Sequence, residues 1–88
     1  MALFSLTYDL VKSRDYQKLY DELDRLGAIR ATESQFFFKN STHSAKELRD
    51  HFSKFIDSDD RLVLVRVAHL DGVNQWAGLR MIDSPNSL

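Results

Sequence analysis

Asp9 closes an otherwise apolar stretch, Leu3-Phe4-Ser5-Leu6-Thr7-Tyr8-Asp9. Aspartate is a poor strand former, so its place at the mouth of a strand asks for a reason. One reason is chemistry: a carboxylate there could serve a metal or a nucleic-acid site. The other is that Asp9 begins the turn before a helix, since turns favour Asp. The residue alone leaves both open. Four cations, Lys12, Arg14, Lys18 and Arg30, could gather on the edge between that strand and the helix after it. Neighbouring acids such as Asp15 offset them.

The other chemistry-bearing residues are scattered. His43, His51 and His69 show no metal-ligand spacing, and metal pairs need convergent geometry. His51 stands beside Asp50 on a predicted helix and reads as part of a solvated face. His69-Leu70-Asp71-Gly72 reads as a turn. Asp57, Asp59 and Asp60 lack the ligand ladder and closing glutamate of a calcium loop, so they read as a helix-ending turn. Three scattered glycines make no phosphate loop. Tyr16 and Tyr20, four apart, fit core or rim better than a base-stacking platform. Trp76, the lone tryptophan, suits a partly buried dimer anchor by its size and its N–H donor.

Elements must hold these residues. The first strand alternates its faces with period two, placing Phe4, Leu6, Tyr8 and Leu10 on one side and Leu3, Ser5, Thr7 and Asp9 on the other. Tyr16, Leu19, Tyr20, Leu23 and Leu26 recur at helical spacing, predicting a helix from about Arg14 to Leu26. Ser13 suits its N-cap, Asp15 its positive end, and Gly27 its left-handed C-terminal cap. Ile29 to Lys39 is rich in β-formers, including Phe36-Phe37-Phe38, and reads as a strand buried in its second half. Asn40-Ser41-Thr42 is a turn cluster. Ser44 and Glu47 make a capping box for a second helix, about Ala45 to Phe55. Arg61 to Val67 is nearly all apolar, predicting a strand covered on both faces, central in a sheet or in an interface. Trp76 to Ile82 reads as a short edge strand.

The 88 residues fit one domain, 1–82, with a flexible polar tail at 83–88. No apolar run approaches the roughly 20 residues of a membrane span, and the N-terminus lacks a signal-peptide pattern; a cytoplasmic location is expected. Without cysteine there is no disulfide and no thiolate metal site. A formal net charge of −1 counts against a dedicated nucleic-acid binder. Two amphipathic helices against one antiparallel sheet make a two-layer α+β sandwich, and the ferredoxin-like split βαβ is the economical arrangement at this length. It places both helices on one face. The other face, with Asp9, needs a cover, and a homodimer is the simplest.

The order of elements, Tyr8-Asp9-Leu10 closing strand one, Thr32-Glu33-Ser34-Gln35-Phe36 and Asp59-Asp60-Arg61-Leu62-Val63-Leu64-Val65 resemble the CRISPR-associated Cas-two endonuclease family. They are equally similar to its relatives, the virulence-associated protein D toxins and stand-alone SinR-like proteins. Ser44-Ala45-Lys46-Glu47-Leu48-Arg49-Asp50, Asp57-Ser58-Asp59-Asp60 and Trp76-Ala77-Gly78 look most like the stand-alone group. The resemblance covers about residues 3 to 80.

It implies a ferredoxin-like homodimer in which the last short strand extends the partner's sheet. It also implies that Asp9 is the catalytic and metal-binding residue, two copies near the two-fold axis sharing Mg²⁺ for phosphodiester hydrolysis of RNA or DNA. Ser34 matches a small polar residue placed near that aspartate. The pattern departs in two ways. Only Lys12 and Arg14 stand where nucleic-acid-binding members carry several cations, and one carboxylate per subunit is thin for metal catalysis. The alternative is a non-catalytic dimeric binding or regulatory module of a mobile element or defence system, engaging a protein or, weakly, nucleic acid.

Overall fold

In the computed structural model, which describes residues 1–9, 16–41 and 43–88, β1 (Ala2–Asp9) is the centre of a four-stranded antiparallel sheet. Its even-numbered side chains do the core work: Phe4 and Leu6 are fully buried and Tyr8 nearly so. β1 leads to α1 (Gln17–Arg25), β2 (Ile29–Thr32), β3 (Gln35–Asn40), α2 (Ala45–Phe52) and β4 (Arg61–Arg66). The strand order is β2-β3-β1-β4, and every neighbouring pair is antiparallel.

The helices form because their apolar spacing matches the core. Leu19 and Leu23 of α1 and Leu48 and Phe52 of α2 meet Phe4, Leu6, Tyr8, Phe36 and Phe38 of the sheet in one cluster. Ring stacking fixes the centre, with Phe38 lying 5.8 Å from Phe4 and 5.7 Å from Phe52. The capping box forms as the sequence predicts: Glu47 N–H donates to Ser44 Oγ at 3.1 Å, and Ser44 N–H donates to Glu47 Oε1 at 3.2 Å. A single 3₁₀ turn, Ser53–Phe55, follows α2. Asp57 and Asp60 then close a turn on each other, Asp57 N–H to Asp60 Oδ2 at 2.8 Å, as the helix-ending reading expects. At the end of α1, Gly27 takes a φ of 74°, as a left-handed cap requires. The proposed N-terminal residues of that helix, Ser13 and Asp15, lie outside the described residues, as does Leu10.

Four expectations change. The stretch from Ile29 to Lys39 is two strands, β2 and β3, folded back at Glu33-Ser34. No Gly or Pro announces that turn, and a register shift between Arg30 and Thr32 accompanies it. Second, of the two places expected for β4, the centre of a sheet or an interface, the first is excluded: β4 lies at the edge of the sheet. Leu62 and Leu64 pack toward the helices, while Val63 and Val65, facing the other way, are 58% and 50% exposed.

Third, Trp76 to Ile82 forms no strand. The strands after β4 are β5 (His69–Leu70) and β6 (Val73–Asn74), joined by Asp71 and Gly72 with φ of 55° and 80°. Positive φ at both central residues is what a tight hairpin turn needs, and Asp-Gly supplies it.

Fourth, the helix-free face is half covered by the chain itself. Leu3, Ala31 and Phe37 are buried there under Trp76, Met81 and Leu88. Ile82 N–H and Asp83 N–H donate to Ala31 O and Arg30 O on β2, at 2.9 and 3.0 Å. Residues 83–88, expected as a loose tail, include a 3₁₀ turn, Pro85–Ser87, with Pro85 buried. The β1–β4 half of the face keeps Thr7, Asp9, Val63 and Val65 exposed. Among the described residues no helix is long and apolar enough to cross a membrane.

Candidate functional site

Antiparallel pairing decides what Asp9 meets. It stands directly across from Arg61, and Arg61 Nη1 lies 3.2 Å from Asp9 Oδ2. The two side chains are 66% and 76% exposed. A pair in that setting is worth about 0–1 kcal/mol, so the contact organises the surface more than it holds the fold. Thr7 and Val63, then Ser5 and Val65, follow Asp9 and Arg61 along the same ladder. The carboxylate and its guanidinium partner therefore sit at one end of a half-face whose other members are apolar or hydroxyl-bearing.

Beside Asp9 is an open hollow of about 440 Å³, lined by Tyr8, Asp9, Tyr16, Glu33 and Ser34. Ser34 is thus near Asp9, as the resemblance implies. It occupies the β2–β3 turn instead of a strand, and its backbone carbonyl accepts from Tyr8 N–H at 3.2 Å. The Tyr8 hydroxyl lies 2.6 Å from the Tyr20 hydroxyl and 3.1 Å from Glu33 O. A carbonyl only accepts, so Tyr8 donates to Glu33 and Tyr20 donates to Tyr8. Burial raises the Tyr8 phenol above its ordinary value; Tyr8 is a neutral structural group.

Tyr16 stacks on Tyr20, rings 5.6 Å apart, and Arg30 lies over Tyr20 and Phe36 at 4.7 and 5.0 Å. The tyrosines are rim residues, as their spacing predicts. Arg30 is tied to rings in a cation–π arrangement. Lys18 is exposed on α1. Lys12 and Arg14, the candidate nucleic-acid contacts, lie outside the described residues.

As a cation site within one chain, this arrangement falls short. Asp9 is a single exposed carboxylate already facing a guanidinium. Among the described residues no group of three His, Asp or Glu side chains is placed to hold a metal ion. The histidines stand apart: His43 bonds to Asn40, His69 to Asn74, and His51 to Glu22.

That last contact is what sequence reasoning missed. Glu22 is 6% exposed and joins the two helices. It accepts from Arg25 Nε at 2.7 Å and Nη2 at 2.6 Å, and from His51 Nε2 on α2. His51 is half-buried against Phe52 and Phe55, ring centroids 5.4 and 5.3 Å away, and not on a solvated face. The signal was Glu22 standing three residues after Leu19 and three before Arg25, at the rim of the apolar stripe. Trp76, expected as a dimer anchor, lies against Phe37 of its own chain, centroids 6.1 Å apart.

Comparison with known proteins adds no family: no family model matches this chain, and no solved structure gives a significant match.

Proposed function

We propose that this chain is a Cas-two-like protein with the ferredoxin-like split βαβ arrangement, and that it works as a homodimer serving as a non-catalytic binding or regulatory module. The β-α-β-β-α-β order and the strand order β2-β3-β1-β4 support the fold reading. One observation carries the dimer: Val63 and Val65, 58% and 50% exposed on a strand with an open edge, share a half-face that the C-terminal segment leaves uncovered. A second copy of this chain would remove both from water. At about 25 cal/mol per Å² of apolar area, that burial favours association. Light scattering at low micromolar concentration tests it: about twice the monomer mass is expected, and a stable monomer sinks it.

A second reading, a metal-dependent endonuclease acting on RNA or DNA, is favoured by the position of Asp9. It shares the half-face with Val63 and Val65, so a dimer through that face could bring two copies of Asp9 toward each other. Two carboxylates, with Arg61 turned away, would be a better Mg²⁺ site than one. Comparing RNA and DNA cleavage with Mg²⁺, with Mn²⁺ and with chelator separates the readings. Metal-dependent cleavage lost in Asp9→Asn selects the nuclease; its absence from all substrates selects the binding module.

A further inference from the structure

One row of residues crosses the whole helix-free face. Phe37 of β3 and Val65 of β4 pair with Ser5 from its two sides, and Ile29 of β2 pairs with Phe37 beyond. Residues directly opposite each other share a face of the sheet, so these side chains form one continuous line. Ser5, in the middle of it, accepts from Gln35 Nε2 at 2.9 Å. Phe37 is buried under the C-terminal segment, whereas Val65 is exposed. The step from covered to open face lies in what sits on top; the sheet beneath is unbroken.

The covering segment, residues 76–88, is lightly held. Among the described residues it adds no strand to the sheet. Ile82 N–H and Asp83 N–H bond to Ala31 O and Arg30 O, and Lys39 Nζ donates to Leu88 O at 3.0 Å. Arg80 has a φ of 53°, a left-handed conformation that a long side chain rarely adopts. Met81 packs so close to Gly78 that a Cβ there would collide with it. Trp76, Met81 and Leu88 cover Leu3, Ala31 and Phe37, yet Leu79 and Ile82 of the same segment stay exposed. One apolar surface is hidden while another is shown, which is the balance of a displaceable cover.

The open half-face is narrow. Two strands about 4.8 Å apart and five residues long give a flat footprint of roughly 200 Å². A stable dimer buries about 800 Å² per partner. Lifting the segment doubles the width of the face and frees Leu3, Ala31 and Phe37, together with the inner side of Trp76 and Met81. A second copy opened in the same way offers the same surface, as a two-fold interface requires.

We propose that residues 76–88 are a displaceable strap, and that a second copy of this chain competes with it for the helix-free face. The strap rests on the homodimer reading above and adds its regulation: the closed strap holds self-association down, and its release strengthens it.

The test measures self-association of the full chain by light scattering across a dilution series. Two variants loosen the strap: Trp76→Ala removes its cover over Phe37, and Ile82→Pro removes one N–H bond to β2. Each should lower the dimer dissociation constant by about tenfold or more. Adding Val63→Lys and Val65→Lys to either should abolish the dimer, because the two halves are one face. A monomeric unsubstituted chain with dimeric loosened variants supports the strap, although the dimer reading of the unsubstituted chain then fails. A dimeric unsubstituted chain with an unchanged or weaker dimer in the variants overturns the strap and leaves the dimer standing. Monomers throughout overturn both, and a loosened dimer that survives the two lysines overturns the strap. Should neither variant keep its circular-dichroism signal, hydrogen exchange of the unsubstituted chain decides. Protection of Ile82 and Asp83 lost on concentration supports the strap, and unchanged protection overturns it.

Discussion

Asp9 and Arg61 face each other across the β1–β4 ladder, carboxylate to guanidinium at 3.2 Å, both largely in water. The residue with the most chemical promise in the sequence is therefore paired within its own chain, at the end of a strip occupied by Val63 and Val65. Any role for Asp9 beyond that pairing must compete with Arg61.

Asp9→Asn should leave the fold almost untouched, changing stability by under about 0.5 kcal/mol. Thermal unfolding checks this. If the protein cleaves RNA or DNA, the same substitution and chelation should each abolish cleavage; cleavage surviving either would point to a contaminant or a different site.

The exposed valines give a sharper test. Val63→Lys with Val65→Lys should convert a dimer to a monomer in light scattering while the helical circular-dichroism signal persists, because neither valine is in the helix-side core. A dimer that survives both charges assembles through another surface.

Glu22 sets the acid limit of stability. Its carboxyl is held at about 2, below the ordinary 4.5. The Arg25 hydrogen bonds lower it most, burial opposes them, and the His51 bond lowers it further. Because the folded value lies below the unfolded one, the stabilisation is full above about pH 4.5. It is lost as pH falls toward about 2. Glu22→Gln should cost roughly 1.5–3 kcal/mol at neutral pH, the range for hydrogen bonds to charged groups. Urea titrations at several pH values should show the gap to the unsubstituted protein closing at the acid end. A gap independent of pH would remove the ionised carboxylate as its cause.

Trp76→Ala should act within one chain. Its ring covers Phe37, so the substitution should cost roughly 1–3 kcal/mol. It should also speed hydrogen exchange at Ile82 and Asp83, whose amides bond to β2. Unchanged exchange there, with a weakened dimer, would return Trp76 to an interface.

Nucleic-acid binding should be weak. Arg30 is tied to rings and Arg61 to Asp9, and a protein neutralising only two or three phosphates has a shallow salt slope and modest affinity. Anisotropy titrations should show binding fade by about 150 mM salt. Nanomolar binding at that salt would make a nucleic-acid enzyme or adaptor the leading reading.

By itself the sequence determined β1, the two helices and the faces they bury. Phe4, Leu6 and Tyr8 at period two, Leu19 and Leu23 at helical spacing, and the Ser44–Glu47 box are local patterns. Local sterics and burial act on them without reference to distant residues. Tertiary structure decided which strand became an edge, because pairing partners are chosen by the whole chain's packing: the apolar run of β4 reads as central in a sheet or in an interface, and within the sheet it has one neighbour. It decided that Trp76, Met81 and Leu88 return over Phe37, a contact between distant segments of the chain that no periodicity encodes. It also decided that Glu22 meets His51 across two helices. It placed Arg61 opposite Asp9 through antiparallel register, which follows from which side chains must face the core once β1 and β4 lie side by side.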